Sequence, residues 1–197
     1  MEYTLIGIAG TNGSGKDTVG HYLAYKHNYL FISVTDLLRA ELNRQGLPVD
    51  REHLRELSAN WRREFGYGVL IDRAYQAFEP VASKYTGLAI ASLRNPFEAD
   101  RVHELGGAVW WLDADPRIRY DRIQANAALR HRAEEDNKTY EEFLAEEAAE
   151  MHKSGDAATL DMASVKDRAN LMLVNGGSEL RLLEQEIDTL LAGPASE

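Results

Sequence analysis

The 197-residue chain contains no cysteine. Disulfides, thiolate metal sites and cysteine nucleophiles are therefore excluded, and a reducing compartment suits the sequence. Positive charge is scarce: 22 Lys and Arg stand against 32 Asp and Glu, a formal net charge of −10. That balance argues against general nucleic-acid binding or attachment to anionic membranes, although it leaves room for a local basic pocket. No apolar run reaches the roughly 18 residues of a membrane span. Met1-Glu2-Tyr3-Thr4 leads straight into a short apolar run with no basic segment before it. Export is not expected from that pattern, and a cytoplasmic location is. Internal repeats and low-complexity linkers are also missing.

What is present is an alternation of short apolar runs and longer amphipathic ones. Apolar residues make up 44% of the chain, and its length suits one domain with a real core. Strands are expected at Tyr3–Ala9, Tyr29–Ser33, Leu88–Ser92, Ala108–Leu112 and Asn170–Val174. Most are continuously apolar, as strands covered on both faces should be. Helices are expected at Lys16–Lys26, Asp36–Arg44, Pro96–Leu105, Pro116–Asn126 and Glu179–Leu191. This alternation predicts an α/β fold with a five-stranded parallel sheet. Two stretches break the rhythm, residues 34–83 and residues 127–168, and such insertions belong near the carboxyl ends of the strands, where ligands bind.

Residues 8–23 read IAGTNGSGKDTVGHYL. Gly10-Thr11-Asn12-Gly13-Ser14-Gly15-Lys16 matches G-x-x-x-x-G-K, placed between an expected strand and an expected helix, the context this motif requires. Its glycines let successive amides point inward at phosphate oxygens, the following helix offers its positive end, and Lys16 can reach the outer phosphates as a point charge. Gly10, Asn12, Gly13, Ser14, Gly15, Lys16, Asp17 and Thr18 are thus candidate contacts to ATP phosphates. Asp17 stands where a magnesium-binding hydroxyl is usual. Asp17 and Thr18 both offer oxygen donors that suit Mg²⁺.

The carboxyl ends of the other expected strands carry further candidates. After the second, Thr35 is placed to cap a helix, Asp36 suits its first turn, and Arg39 can fork onto an acceptor phosphate. After the third, Arg94 precedes Pro96, a good first helical residue, and a cation there can hold the transferring phosphoryl group. After the fourth, Asp115 can cap a helix carrying Arg119 and Arg122, of which Arg119 reads as a surface or ion-pair residue. Arg51, Arg55, Arg62 and Arg63 alternate with Glu52, Glu56 and Glu64 and read as a solvated face. After the last strand, Asn175-Gly176-Gly177 is a strand-to-helix turn.

Together these segments resemble the P-loop nucleoside monophosphate kinase superfamily, and within it adenylate kinase and dephospho-CoA kinase. Lys16-Asp17-Thr18 shares with adenylate kinases the displacement of the hydroxyl by one residue. The resemblance implies a single P-loop kinase domain with core 1–33, 84–126 and 169–193, a helical acceptor-binding lobe 34–83, and a short lid with following helices over 127–168. It implies that Thr35 and Arg39 contact the acceptor monophosphate, that Glu98 reads the acceptor base, and that Arg94 bridges donor and acceptor. Arg122 would lie beside the donor, Arg130 and Arg132 of the lid would close on its phosphates, and the turn at Asn175 and Gly176 would pack on adenine. Lys16, Arg94, Arg122 and Asp36 are the expected catalytic set, with ATP and Mg²⁺ as cofactors and small nucleotides as partners. Two features depart from the pattern. No acid stands in Ala89-Ile90-Ala91-Ser92-Leu93, where many relatives organise the metal, so Asp17, Asp36, Asp113 or the nucleotide itself would have to serve. The Asp-Ala-Asp triplet typical of dephospho-CoA kinases after strand two occurs instead at Asp113–Asp115, after strand four. The acceptor therefore stays open between a nucleoside monophosphate and dephospho-CoA, and an ATPase without a small acceptor is the third reading.

Overall fold

A computed structural model describes residues 3–126, 138–151, 155–177 and 180–192. The strands are β1 (Leu5–Gly10), β2 (Tyr29–Ser33), β3 (Gly87–Leu93), β4 (Ala108–Asp113) and β5 (Leu171–Val174). They form one parallel sheet in the order β2-β3-β1-β4-β5. The helices are α1 (Lys16–His27), α2 (Val34–Gln45), α3 (Arg51–Phe65), α4 (Val69–Phe78), α5 (Pro96–Glu104), α6 (Pro116–Ala125), α7 (Tyr140–Met151), α8 (Met162–Asp167) and α9 (Leu180–Ala192), with a 3₁₀ turn at Glu79–Lys84.

Sheet residues alternate between two cores, as a period of two requires. Ile6, Ile8, Ala89, Ala91, Trp110 and Leu112 face Val19 and Leu23 of α1 and Leu183 and Ile187 of α9. Leu5, Ala9, Leu88, Ile90, Val109 and Trp111 face the other way, against α2, α4, α5 and α8. The neighbouring tryptophans Trp110 and Trp111 are both buried, one in each core. Burying two such rings stabilises the fold by about 2–3 kcal/mol each. Residues 34–83 join this body rather than standing apart: Leu70, Ile71 and Ala74 of α4 are fully buried in the same core as Leu88 and Ile90.

The order of strands fixes where a ligand can sit. From β1 the chain passes over β3 to the edge strand β2, and from β3 it crosses back past β1 to β4. Connections leave β1 and β3 in opposite directions, so their carboxyl ends flank a crevice, the position where open α/β sheets bind ligands.

Local signals set the helix starts around that crevice. Asp115 accepts bonds from the amides of Arg117 and Ile118, and Asn95 caps α5 while Glu98 bonds back to the Asn95 amide, completing a capping box. Thr35 does not cap α2. The helix begins at Val34, with Ser33 in the cap position and making no side-chain cap bond.

Candidate functional site

Between β1 and α1 the chain makes a tight loop in which Gly10, Gly13 and Gly15 all have positive φ, 141°, 79° and 99°. A side chain at any of them would also meet a wall: the Leu112 carbonyl at Gly10, the Arg119 backbone at Gly13, the Asn175 amide at Gly15. Only glycine lets the loop curl this closely against its supports. Those supports come from distant elements. Asn175, at the end of β5, donates Nδ2 to the Ser14 carbonyl at 2.9 Å. Arg119 on α6 reaches the Asn12 carbonyl at 3.3 Å. Lys16 is buried and donates Nζ to the Thr11 carbonyl at 2.7 Å. The hydroxyls of Thr11 and Ser14 are buried and make no hydrogen bond among the described residues. Orphaned donors in a curled, glycine-lined cradle are what a polyphosphate chain would satisfy.

Two cavities flank this loop. One, of about 530 Å³, is lined by Gly13, Gly15, Lys16, Asp17, Thr18, Arg122, Ile123, Asn126, Asn175 and Gly177. Arg122 holds this wall together: Nη2 donates to Gly177 O at 3.0 Å and to Asn175 Oδ1 at 3.3 Å, while its buried Nη1 has no hydrogen-bond partner among the described residues. Asp17 and Thr18 are exposed on the rim and present oxygens to the same space, which suits Mg²⁺. Among the described residues no group of three or more His, Asp or Glu converges on a metal position. Asp113 is engaged elsewhere, with Ala114 N and with Lys166 at 3.3 Å. The expectation that Asn175 and Gly176 meet a purine is amended in part. The Asn175 amide group is committed to the loop and to Arg122, and Gly177 rather than Gly176 lines the cavity.

The second cavity, of about 70 Å³, lies on the other side, lined among others by Asn12, Val34, Thr35, Leu38, Arg51, Arg55, Arg62, Ser92, Arg94 and Glu150. Ser92 has φ 72°, strained for a residue other than glycine, at the place where the register of β3 against β1 slips. That turn carries Arg94 toward the loop. Lys16 lines the first space and Arg94 the second, and the like charge of Arg94 acts on the Lys16 amine.

Thr35 and Arg94 thus both line the second cavity. Three other residues do not. Asp36 is an exposed partner of Arg39 at 3.3 Å, and this i,i+3 pair of α2 lies off the walls of both cavities. Glu98 is fully buried and cannot read an acceptor base. Its Oε1 accepts from Arg62 Nη2 at 2.6 Å and Nε at 3.1 Å, and its Oε2 from the Arg94 amide at 2.8 Å and the Asn95 amide at 3.2 Å. It is the post on which Arg94 is mounted. Conversely, Arg51, Arg55 and Arg62, read as a solvated face, line the second cavity, and Arg62 is 2% exposed. Arg119 is likewise buried, forking onto Glu147 with Nη2···Oε1 at 2.7 Å. Arg130 and Arg132 lie outside the described residues.

The charges act on one another. Burial first, then the like charge of Arg94, pulls Lys16 down from 10.5 to about 7, against the opposing pull of Asp17 and Glu150. Glu150 on α7 shows the reverse. Burial works to raise it, but the guanidinium groups of Arg94, Arg51 and Arg55 outweigh burial and hold it at about 2.

A family model described as an AAA domain matches residues 6–149, well over half of the chain. The chain belongs to that AAA domain family. Among curated proteins this family member is similar to the UPF0200 protein of Pyrobaculum aerophilum, 26% identical with 95% of this chain and 96% of that one covered. It is similar also to the UPF0200 protein of Pyrococcus abyssi, 24% identical with 95% of each covered. Among solved structures it resembles TT1252 from Thermus thermophilus, with TM-score 0.57, 22% identity and all of both chains covered. A shikimate kinase from Acinetobacter baumannii in complex with shikimate gives TM-score 0.55 and 14% identity over 99% of this chain and 96% of that one. The fold of this AAA domain is that of the P-loop kinases.

Proposed function

We propose that the protein transfers the γ-phosphoryl group of ATP to a small nucleotide-like acceptor, in the manner of a nucleoside monophosphate kinase. The observation that carries this reading is the pair of cavities beside one phosphate loop, Lys16 lining one and Arg94 the other, with the charge of Arg94 acting on Lys16. An ATPase without a small acceptor has no need of the second, arginine-lined space. In this reading the larger cavity takes the donor: loop amides and the hydroxyls of Thr11 and Ser14 hold its phosphates, and the open Nη1 of Arg122 adds a charge-assisted bond. Thr35 and Arg94 face the acceptor. Phosphoryl transfer needs positioning and electrostatic stabilisation rather than a covalent intermediate. Lys16 and Arg94 sit where negative charge would grow between the substrates. Asp17 and Thr18 would hold Mg²⁺, which neutralises phosphate charge when bound. The deciding experiment supplies γ-labelled ATP with a panel of nucleoside monophosphates and dephospho-CoA. Label is expected on a monophosphate acceptor, and release of inorganic phosphate at one rate whatever is added would overturn the reading.

Lys16 gives a second test. In the free protein its amine loses half its proton near pH 7, against 10.5 in the ordinary state. The unfolded chain therefore binds more protons than the folded one between those values, and stability gains from Lys16 as pH rises through that window. A polyphosphate beside the amine restores its positive charge. ATP binding is expected to take up a fraction of a proton at about pH 8 and close to none at about pH 6. Calorimetry in buffers of different ionisation enthalpy measures this, and proton release at pH 8 would place the triphosphate away from Lys16.

A further inference from the structure

Glu150 has no part in the chemistry just described, yet it occupies the middle of the acceptor-side cavity. Its Oε2 accepts from Arg94 Nη1 at 2.8 Å and its Oε1 from Arg55 Nη2 at 2.9 Å. Arg51 is close enough to act on its charge but points Nη1 at Glu146, one turn earlier on α7. The Glu150 side chain is only 12% exposed. A group this acidic is too weak a base to take a proton from an acceptor hydroxyl. What it does well is fill a place lined with guanidinium groups.

The fit is incomplete in a way that identifies what would fit better. A carboxylate has two oxygens, and Arg55 and Arg94 take one each, leaving Arg51 to a neighbour. A terminal phosphate carries three oxygens and a charge of about −1.5 to −2 near neutrality, enough for all three arginines. The rest of the wall is mixed, with apolar Val34, Leu38, Leu54 and Leu160 beside polar Asn12, Thr35, Ser58 and Ser92. Size points the same way. With Glu150 in place the space is about 70 Å³, far below the roughly 300 Å³ at which ligand pockets begin. A further cavity of about 200 Å³ starts from the same Arg55, Ser58 and Glu150 and runs between α3 and α7. The two spaces share Arg55, Ser58, Arg62, Glu150 and Leu160 in their walls.

We propose that Glu150 is an internal stand-in for the acceptor's phosphate, and that the acceptor is a phosphomonoester which displaces it from Arg55 and Arg94. This rests on the phosphoryl-transfer reading of the same site and narrows it. An acceptor bearing only a carboxylate offers the arginines no more than Glu150 already does, and is held in place by nothing extra. Acceptor affinity is thus the difference between two ion-pair sets, and Glu150 sets the threshold.

The test is calorimetric binding of inorganic phosphate to the nucleotide-free protein. Glu150→Gln is expected to tighten phosphate about tenfold, since 1.4 kcal/mol of lost competition corresponds to that factor. Glu141→Gln removes the same charge from an exposed position of the same helix and is expected to change affinity less than about twofold. Because phosphate could also bind the loop, the gain must vanish when Glu150→Gln is combined with Arg55→Ala, which touches only the acceptor side. An unchanged or weaker affinity in Glu150→Gln, an equal gain in Glu141→Gln, or a gain that survives Arg55→Ala would each overturn the proposal. If Glu150→Gln does not fold, ¹³C-carboxyl titration of the wild-type protein decides instead. Phosphate should raise the Glu150 pKa from about 2 toward 4.5, and no rise in saturating phosphate overturns displacement. Neither measurement requires turnover, so absence of transfer to the monophosphate panel would remove the kinase reading without touching the stand-in, and the reverse result is equally separable.

Discussion

Lys16→Ala is expected to lower γ-phosphoryl transfer by at least about a hundredfold while leaving the fold as stable as before, or more so. The two halves of that result have separate causes. The amine is buried, feels the charge of Arg94, and donates a hydrogen bond to the Thr11 carbonyl. Its charge is disfavoured there by burial and by repulsion, which is why its pKa is about 7. Removing it relieves that penalty. What is lost is a cation whose value appears only when phosphate charge develops next to it. Lys16→Arg should not rescue, because a planar guanidinium is bulkier than the ammonium that lies folded within the loop. Transfer assays paired with thermal melts check both halves. Residual activity above about a tenth of wild type, or a melting point lowered by several degrees, would show that Lys16 supports the loop rather than the reaction.

Glu98→Ala is expected to cost about 3–5 kcal/mol, because it leaves the Arg62 guanidinium buried without its carboxylate. Arg62 is 2% exposed and Glu98 fully buried. The amides of Arg94 and Asn95 lose their acceptor at the same time. For a chain of this size each kcal/mol lowers the melting point by roughly 2–4 °C, so a drop on the order of 10 °C follows. Glu98→Gln should recover little. Both carboxylate oxygens face donors, so wherever the new NH₂ group turns it meets another N–H. Chemical denaturation gives the size directly, and a loss under about 1 kcal/mol in Glu98→Ala would mean the pair is not the support it looks to be.

The same two residues show what a linear sequence conceals. The five strands were legible because each is a short apolar run bounded by turn residues, and the observed ends fall within two residues of those expected. The loop was legible because its motif is local, and so was Arg94, since the carboxyl end of a central strand is a position of known use. Arg62 and Arg51 were misread because each sits on a helix among other charges, and a solvated face looks the same; Arg119, expected at the surface or in an ion pair, forms the ion pair but is buried. Their partners lie far along the chain: Glu98 is 36 residues from Arg62, Glu147 is 28 from Arg119, and Glu146 is 95 from Arg51. Nothing short-range marks such pairs. Glu98 is different, since Asn95-Pro96-Phe97-Glu98 has the spacing of a capping box, and weighing that pattern would have turned its carboxylate toward the backbone of its own helix. Asp36 and Arg39 were drawn to the site by their place after the second strand and by resemblance, whereas their i,i+3 spacing alone describes the surface pair they form.

The bond from Asn175 to the Ser14 carbonyl spans 161 residues, and it has a bearing on synthesis as well as on binding. A ribosome delivers the glycine-rich segment early, but the clamp that closes its shape belongs to the last strand. A growing chain has neither that clamp nor the Arg119 brace until residue 119 emerges, and it still lacks the Asn175 clamp until the last strand is made. Competence to hold nucleotide should therefore arrive late, and incomplete chains ending before residue 175 should bind it poorly.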